Sequence, residues 1–208
     1  MLFSNTYNQL KNNSKGIYKV KGSKFIAYAT LVKSEEQVLN EINKIKKLEK
    51  NASHYCYAYK IKPDKSIEKV NDDGEPKNSA GKPIIGQIKS KDLTNCLIVV
   101  VRYFGGTKLG IPGLIKAYKN AALEAIQNNK IECIDITEIY SLKFSFEELN
   151  SVMNILKNHN ANIINHKSDM ISEIICSITL KNSKIFYEKI SKNYKIDIKY
   201  LKTKEWNC

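Results

Sequence analysis

Six consecutive residues, Cys96-Leu97-Ile98-Val99-Val100-Val101, are apolar and mostly β-branched. A strand with one solvated face alternates apolar and polar side chains; an unbroken run of this length reads as a central strand buried on both faces. The strand is expected to end at Arg102-Tyr103-Phe104. Four of the nine glycines then follow within nine residues, at Gly105, Gly106, Gly110 and Gly113. A helix is predicted from near Pro112, a residue tolerated in a first turn, with Leu114, Tyr118, Ala121, Ala122, Ala125 and Ile126 on its inward face. Residues 131–136 return as a strand.

Upstream, after a polar start, residues 17–32 alternate loosely and carry β-formers, which predicts a strand or hairpin bent near Gly22. Ser34 followed by Glu35, Glu36 and Gln37 resembles a capping box. Val38, Ile42, Ile45 and Leu48 recur at helical spacing, so a helix is predicted over residues 35–49. Residues 55–61 form a strand in which Tyr55, Tyr57 and Tyr59 share one face. That face fits either a platform for stacking bases or a half-buried sheet surface. Residues 67–70 give a short return strand, and the Gly/Pro-rich stretch 71–83 is too irregular for a regular element.

A second unit is predicted over residues 138–208, after a first over 1–137. Strand 139–146 leads to a helix over 147–157 with a capping box from Ser145 to Glu148. Strands near 161–167 and 171–180, a helix around 183–192 and a strand at 196–203 complete a β-α-β-β-α-β order. The fold class is therefore α+β.

The five cysteines (Cys56, Cys96, Cys133, Cys176 and Cys208) are odd in number and never form C-x-x-C. A disulfide framework or closed zinc site would be spaced differently, and small core residues in strands are the expectation for most, with Cys208 a terminal thiol. No run approaches the roughly 18 apolar residues of a membrane span. The Met1-Leu2-Phe3 start does not open a secretory signal. A cytoplasmic protein is expected. Net charge is +13, and residues 1–137 carry 23 basic and 13 acidic side chains, net +10. An anionic partner would be drawn to that part, although lysine abundant throughout also fits a solvated surface. Of 34 basic residues only Arg102 is arginine. A lone guanidinium among lysines points to a site that needs a planar, forked donor.

Two motifs concentrate chemistry. Asp72-Asp73-Gly74-Glu75-Pro76 places three carboxylates within four residues around a glycine. They fit an Asx-type turn, a hard-cation site, a contact to a partner, or a two-bond pairing with Arg102. Arg102-Tyr103-Phe104-Gly105-Gly106-Thr107-Lys108-Leu109-Gly110 feeds a helix start, a geometry that offers backbone N–H groups to an anion. It matches neither nucleotide-loop signature, and no cofactor is expected. His54 and Cys56 fall on one strand face, where core packing is the expectation. His159 and His166 have no partnered spacing.

Together with Ser23-Lys24-Phe25-Ile26, His54 with Ala58-Tyr59, Ser79-Ala80-Gly81-Lys82-Pro83, Gly113-Leu114 and Ala117-Tyr118, these motifs resemble the YigZ/IMPACT family over roughly residues 15–130. The resemblance implies a ribosomal protein S5 domain 2-like N-terminal α/β sandwich and a ferredoxin-like C-terminal domain. Eukaryotic members regulate translation but carry a further N-terminal domain that a chain of this length has no room for. The bacterial two-domain form is the better likeness. Pro112 stands where the family usually has another glycine, which removes one N–H donor from the loop; Lys116 replaces an arginine and Ser79 a threonine. The implied function is a translation-associated binding or regulatory protein contacting RNA, the ribosome or a ribonucleoprotein, or else a protein partner. Its surface would be built from Asp72, Asp73, Glu75, Lys82, Arg102, Tyr103, Phe104, Gly105, Gly106, Lys108, Gly110 and Gly113. The alternative is a metal-assisted hydrolase working through the acidic turn.

Overall fold

The computed structural model describes residues 4–62 and 66–203; Cys208 and the Met1-Leu2-Phe3 start lie outside them. It is a mixed α+β protein that separates into a larger unit, Tyr7–Ile134, and a smaller one holding the rest of the described chain.

The apolar run forms β6 (Cys96–Tyr103), the middle strand of a five-stranded sheet in the order β2-β3-β6-β4-β5. Its neighbours are β2 (Ser14–Val20), β3 (Ser23–Leu31), β4 (His54–Ile61) and β5 (Ile67–Asn71), and every pairing is antiparallel. Helix α1 (Glu35–Leu48) covers one face, packing Val38, Ile42 and Ile45 on Val99 and Val101. Helices α2 (Gly81–Ser90) and α3 (Gly110–Gln127) cover the other, over Ile98 and Val100. Residues 96–101 are therefore completely buried, as a strand with helices on both faces must be. Two further strands, β1 (Thr6–Leu10) and β7 (Ile131–Asp135), pair as a separate ribbon. β1 lies in the stretch that the sequence marked only as a polar start.

The predicted cap of α1 forms in modified shape. Ser34 Oγ accepts from Gln37 N at 3.2 Å, but Gln37 Oε1 accepts from Lys33 N rather than from Ser34. The tyrosine face of β4 is not an open platform. Tyr59 is buried and donates to Glu35 of α1 at 2.5 Å, while Tyr55 and Tyr57 pack against the same cluster. Residues 71–83 are not irregular throughout, because α2 begins at Gly81.

In the smaller unit β8 (Thr137–Ser145), α4 (Leu149–Asn158), β9 (Asn162–Lys167), β10 (Ile171–Thr179), α5 (Leu180–Ser191) and β11 (Ile196–Thr203) follow in turn. The sheet order is β11-β8-β10-β9, again antiparallel, with Leu142, Phe144, Ile174, Phe186 and Ile190 in its core. The expected box at Ser145 does not close. Residues 146–148 make a 3-10 turn, no cap bond forms from Ser145, and the Glu148 carboxylate takes Asn193 Nδ2 (3.1 Å) and Lys195 Nζ (3.3 Å) instead. Among the described residues no helix is long and apolar enough to cross a membrane.

Candidate functional site

The strand register builds the site. Phe25 of β3 and His54 of β4 both stand opposite Arg102 of β6, so one row across three strands reads Phe25-Arg102-His54. Side chains alternate along a strand, so this row and the next, Ala27-Val100-Cys56, face α2 and α3. The guanidinium lies 5.6 Å from the Phe25 ring and 5.5 Å from the Phe104 ring. Arg102 is only 6 % exposed.

A charge so buried needs a partner, and the acidic turn delivers one. Asp73 (φ 40°) and Gly74 (φ 85°) have positive φ, and Glu75 N donates to Asp72 O at 2.9 Å. Two left-handed central residues make the tight turn that a D-G pair favours. The turn drops Glu75, itself 8 % exposed, beneath Arg102, whose Nη1 donates to Oε1 at 2.6 Å. Tyr118 of α3 donates to the same oxygen at 2.8 Å and sets its ring edge-on to Phe25. Arg102 Nε is buried and has no hydrogen-bond partner among the described residues.

The other two carboxylates serve the backbone. Asp72 accepts from the N–H groups of Asn78 (2.8 Å), Ala80 (3.0 Å) and Gly81 (2.8 Å), which supplies the N-terminal cap of α2 from outside the helix. Asp73 Oδ2 accepts from Tyr55 N at 2.7 Å, and its N–H donates to Asn71 Oδ1 in an Asx turn. The three acids thus point to three different jobs. Among the described residues no three His, Cys, Asp or Glu side chains gather as metal ligands.

His54, which matches the family pattern but whose strand spacing pointed to core packing, belongs to the site. Its Nδ1 lies 2.7 Å from Asp73 O. A carbonyl only accepts, so Nδ1 carries the hydrogen and Nε2 holds the lone pair in the neutral ring. Nε2 stands 4.0 Å from Glu75 Oε1. Cys56, on the same strand face, is a true core residue, 2.9 Å from Asp72 O and 3.3 Å from Tyr118 OH. Burial pushes both the Cys56 thiol and the Tyr118 phenol well above their usual ranges. Cys56 therefore stays a thiol rather than a nucleophilic thiolate.

A cavity of about 490 Å³ opens on this cluster. His54, Glu75 and Arg102 form its polar side, and Phe104, Leu109, Ile111 and Leu114 its apolar side, with Pro76, Lys108 and Gly110 along the wall. Of the residues singled out in the sequence, Glu75, Arg102, Phe104, Lys108 and Gly110 line it. Asp72 and Asp73 shape the turn beneath it, and Lys82 is exposed on α2. Gly105 and Gly106 carry the loop, Gly106 and Gly110 having φ of 85° and 69°. A Cβ on Gly105 would come within 1.9 Å of the Gly22 carbonyl carbon, so the loop and the β2–β3 turn touch backbone to backbone. A Cβ on Gly113 would meet Leu109 Cβ at 3.0 Å. Tyr103 points to the opposite face, where its hydroxyl donates to Glu49 Oε2 at 2.8 Å.

Residues 21–126, which contain every residue that lines the cavity, match the Impact N-terminal domain. The chain belongs to the IMPACT family. It is 42% identical over 109 residues to IMPACT family member YvyE of Bacillus subtilis, covering 52% of this chain and 50% of that protein. To IMPACT family member YigZ of Escherichia coli it is 28% identical over 171 residues, covering 81% of this chain and 83% of that one. The match to the Bacillus relative thus spans half its length. A crystal structure of a hypothetical protein shares the fold at a TM-score of 0.71 and 22% identity, over 96% of this chain and 99% of that one.

Proposed function

We propose that this protein is a translation-associated binding protein whose larger unit contacts RNA, on its own or within a ribonucleoprotein, through the Arg102 cavity. The observation that carries this reading is convergence. Two motifs distant in sequence, with Glu75 of one and Arg102 of the other 27 positions apart, fold onto one concave surface and hold the only arginine between two aromatic rings. An arginine 5.6 Å and 5.5 Å from two aromatic rings, beside a lysine-bearing loop, suits phosphates and bases. The excess positive charge of the N-terminal part favours the same partner. Family membership supports the link to translation. The order of strands and helices supports reading residues 1–137 as ribosomal protein S5 domain 2-like and residues 138–208 as ferredoxin-like. No observation favours the metal-assisted hydrolase, because Asp72, Asp73 and Glu75 diverge.

The test is a fluorescence titration of the full chain with labelled RNA at two ionic strengths. Lysine–phosphate pairing makes affinity fall with a log–log slope of about −0.7 per neutralised phosphate on a single strand. Absence of binding at low salt overturns the reading.

A further inference from the structure

We infer that the cavity takes one unpaired nucleobase, with the β2–β3 hairpin tip beside it holding the flanking phosphates, so that the RNA bound is single-stranded. This rests on the reading above and narrows it to a ligand class.

Four observations converge. The cavity, about 490 Å³, lies in the range of pockets that bury a small planar ligand. At its rim Phe104 is 50% exposed and Ile111 54% exposed, which leaves apolar surface in water beside a guanidinium. The Arg102 guanidinium lies 5.5 Å from the Phe104 ring centroid, so a base stacked on the exposed ring would sit beside a cation. The polar side offers mixed chemistry: the Arg102 guanidinium is a donor, while Nε2 of His54 and the Glu75 carboxylate accept. Base edges carry both donors and acceptors, whereas a phosphate or carboxylate only accepts and would meet Glu75 as a like charge.

The phosphates have a separate place. Lys21 lies on the turn that joins β2 to β3, while Lys19 and Lys24 beside it share the row of Tyr103 and face away from the cavity. That turn is pinned to the glycine loop by the Gly22–Gly105 approach and by Gly105 N donating to Ser23 Oγ at 3.1 Å. Lys108 continues the same rim. Neither Lys21 nor Lys108 is paired with a carboxylate among the described residues. A base held in a duplex is stacked on both faces and paired at its edge, so it would have to be flipped out first. A single strand presents its bases without that cost.

The experiment uses the full chain with a single-stranded RNA of roughly ten nucleotides, within the site sizes such platforms take. The RNA carries one 2-aminopurine, and the duplex of the same sequence is the comparison. Expected results are tighter binding of the single strand, a change in 2-aminopurine fluorescence on binding, and about five- to hundred-fold weaker binding by Phe104→Ala. The salt slope of Phe104→Ala stays unchanged. Lys21→Ala with Lys108→Ala shows the converse, a slope shallower by about 0.7 for each phosphate no longer neutralised. These three residues are exposed, so equal melting temperatures confirm that the variants are folded. Equal binding of duplex and single strand, or a Phe104→Ala affinity equal to that of the parent, overturns the inference while RNA binding as such stands. Binding of neither RNA overturns both and transfers the cavity to a protein partner.

Discussion

Arg102 and Tyr103 are neighbours in sequence, yet the pleat of β6 sends them to opposite faces of one sheet, and each serves a glutamate there. On the α2–α3 face, Glu75 is sealed in with Arg102 and Tyr118. On the α1 face, Glu49 follows the last turn of α1 and accepts from Tyr28 and Tyr103, with Lys15 Nζ at 3.6 Å. Its backbone carbonyl takes the Tyr55 hydroxyl at 2.6 Å. The two clusters differ in what they would lose to water. The Arg102 and Glu75 side chains are 8% and 3% exposed, so each depends on its partner far more than on water. Lys15 is 46% exposed and keeps its water with or without Glu49. The first cluster stiffens a ligand-facing wall; the second fastens a helix end.

The largest effect should come from Glu75→Ala. Removing one partner of a buried pair strands the other charge, at a cost of about 3–5 kcal/mol, read as a lowered denaturant midpoint. A loss of under about 1 kcal/mol, the range of exposed pairs, would put Glu75 in the same class as Glu49. Next is Tyr118→Phe, which deletes one hydrogen bond to the carboxylate but leaves the ion pair, at about 1.5–3 kcal/mol. If Tyr118→Phe matched Glu75→Ala, the phenol rather than the guanidinium would be the principal partner.

Glu49→Gln should cost about 1 kcal/mol at neutral pH, since its cation is half in solvent. Its signature is the pH profile. Burial alone would raise the Glu49 pKa, but hydrogen bonds from Tyr28 and Tyr103 and the Lys15 charge outweigh it, holding the carboxyl below its usual 4.5. That contribution is full above about pH 4.5 and is lost as pH falls through the lowered value. Tyr103 is pushed up to about 12, chiefly by its bond to Glu49, so its contribution is full below its usual value of 10 and is lost between there and about 12. The stability gap between parent and Glu49→Gln should therefore be widest between those limits and narrow on both sides. A gap that is flat with pH would mean that Glu49 acts through packing alone.

Much of the scaffold was legible because its signals are local. The apolar run announced β6, and the Ser34 cap and helical spacing announced α1. Helix α2 was hidden because its stabilising groups lie elsewhere. It starts Gly-Lys-Pro, contains Gly86 and takes its cap from Asp72, eight and nine residues before the N–H groups it satisfies. Only Ile84, Ile85 and Ile88 at helical spacing betrayed it. In the site, pairing of a carboxylate with Arg102 was one of several alternatives, and the sequence had no means of choosing Glu75. Strand spacing pointed His54 to the core because the carbonyl that orients it comes from the turn nineteen residues on. Tyr103 was grouped with Arg102 by adjacency, although the period of two along a strand separates them.

The Phe25-Arg102-His54 row also fixes when the site can exist. Its three members come from strands far apart along the chain, and Glu75 and Tyr118 arrive from two more segments. Closing such long loops is entropically slow compared with forming a helix or hairpin. A chain made only as far as β6 contains the residues of the row and of the acidic turn, but no α3 to cover them or to bring Tyr118 and the far wall of the cavity. The cavity is therefore complete only once α3 has docked, because Tyr118, Ile111 and Leu114 all come from it.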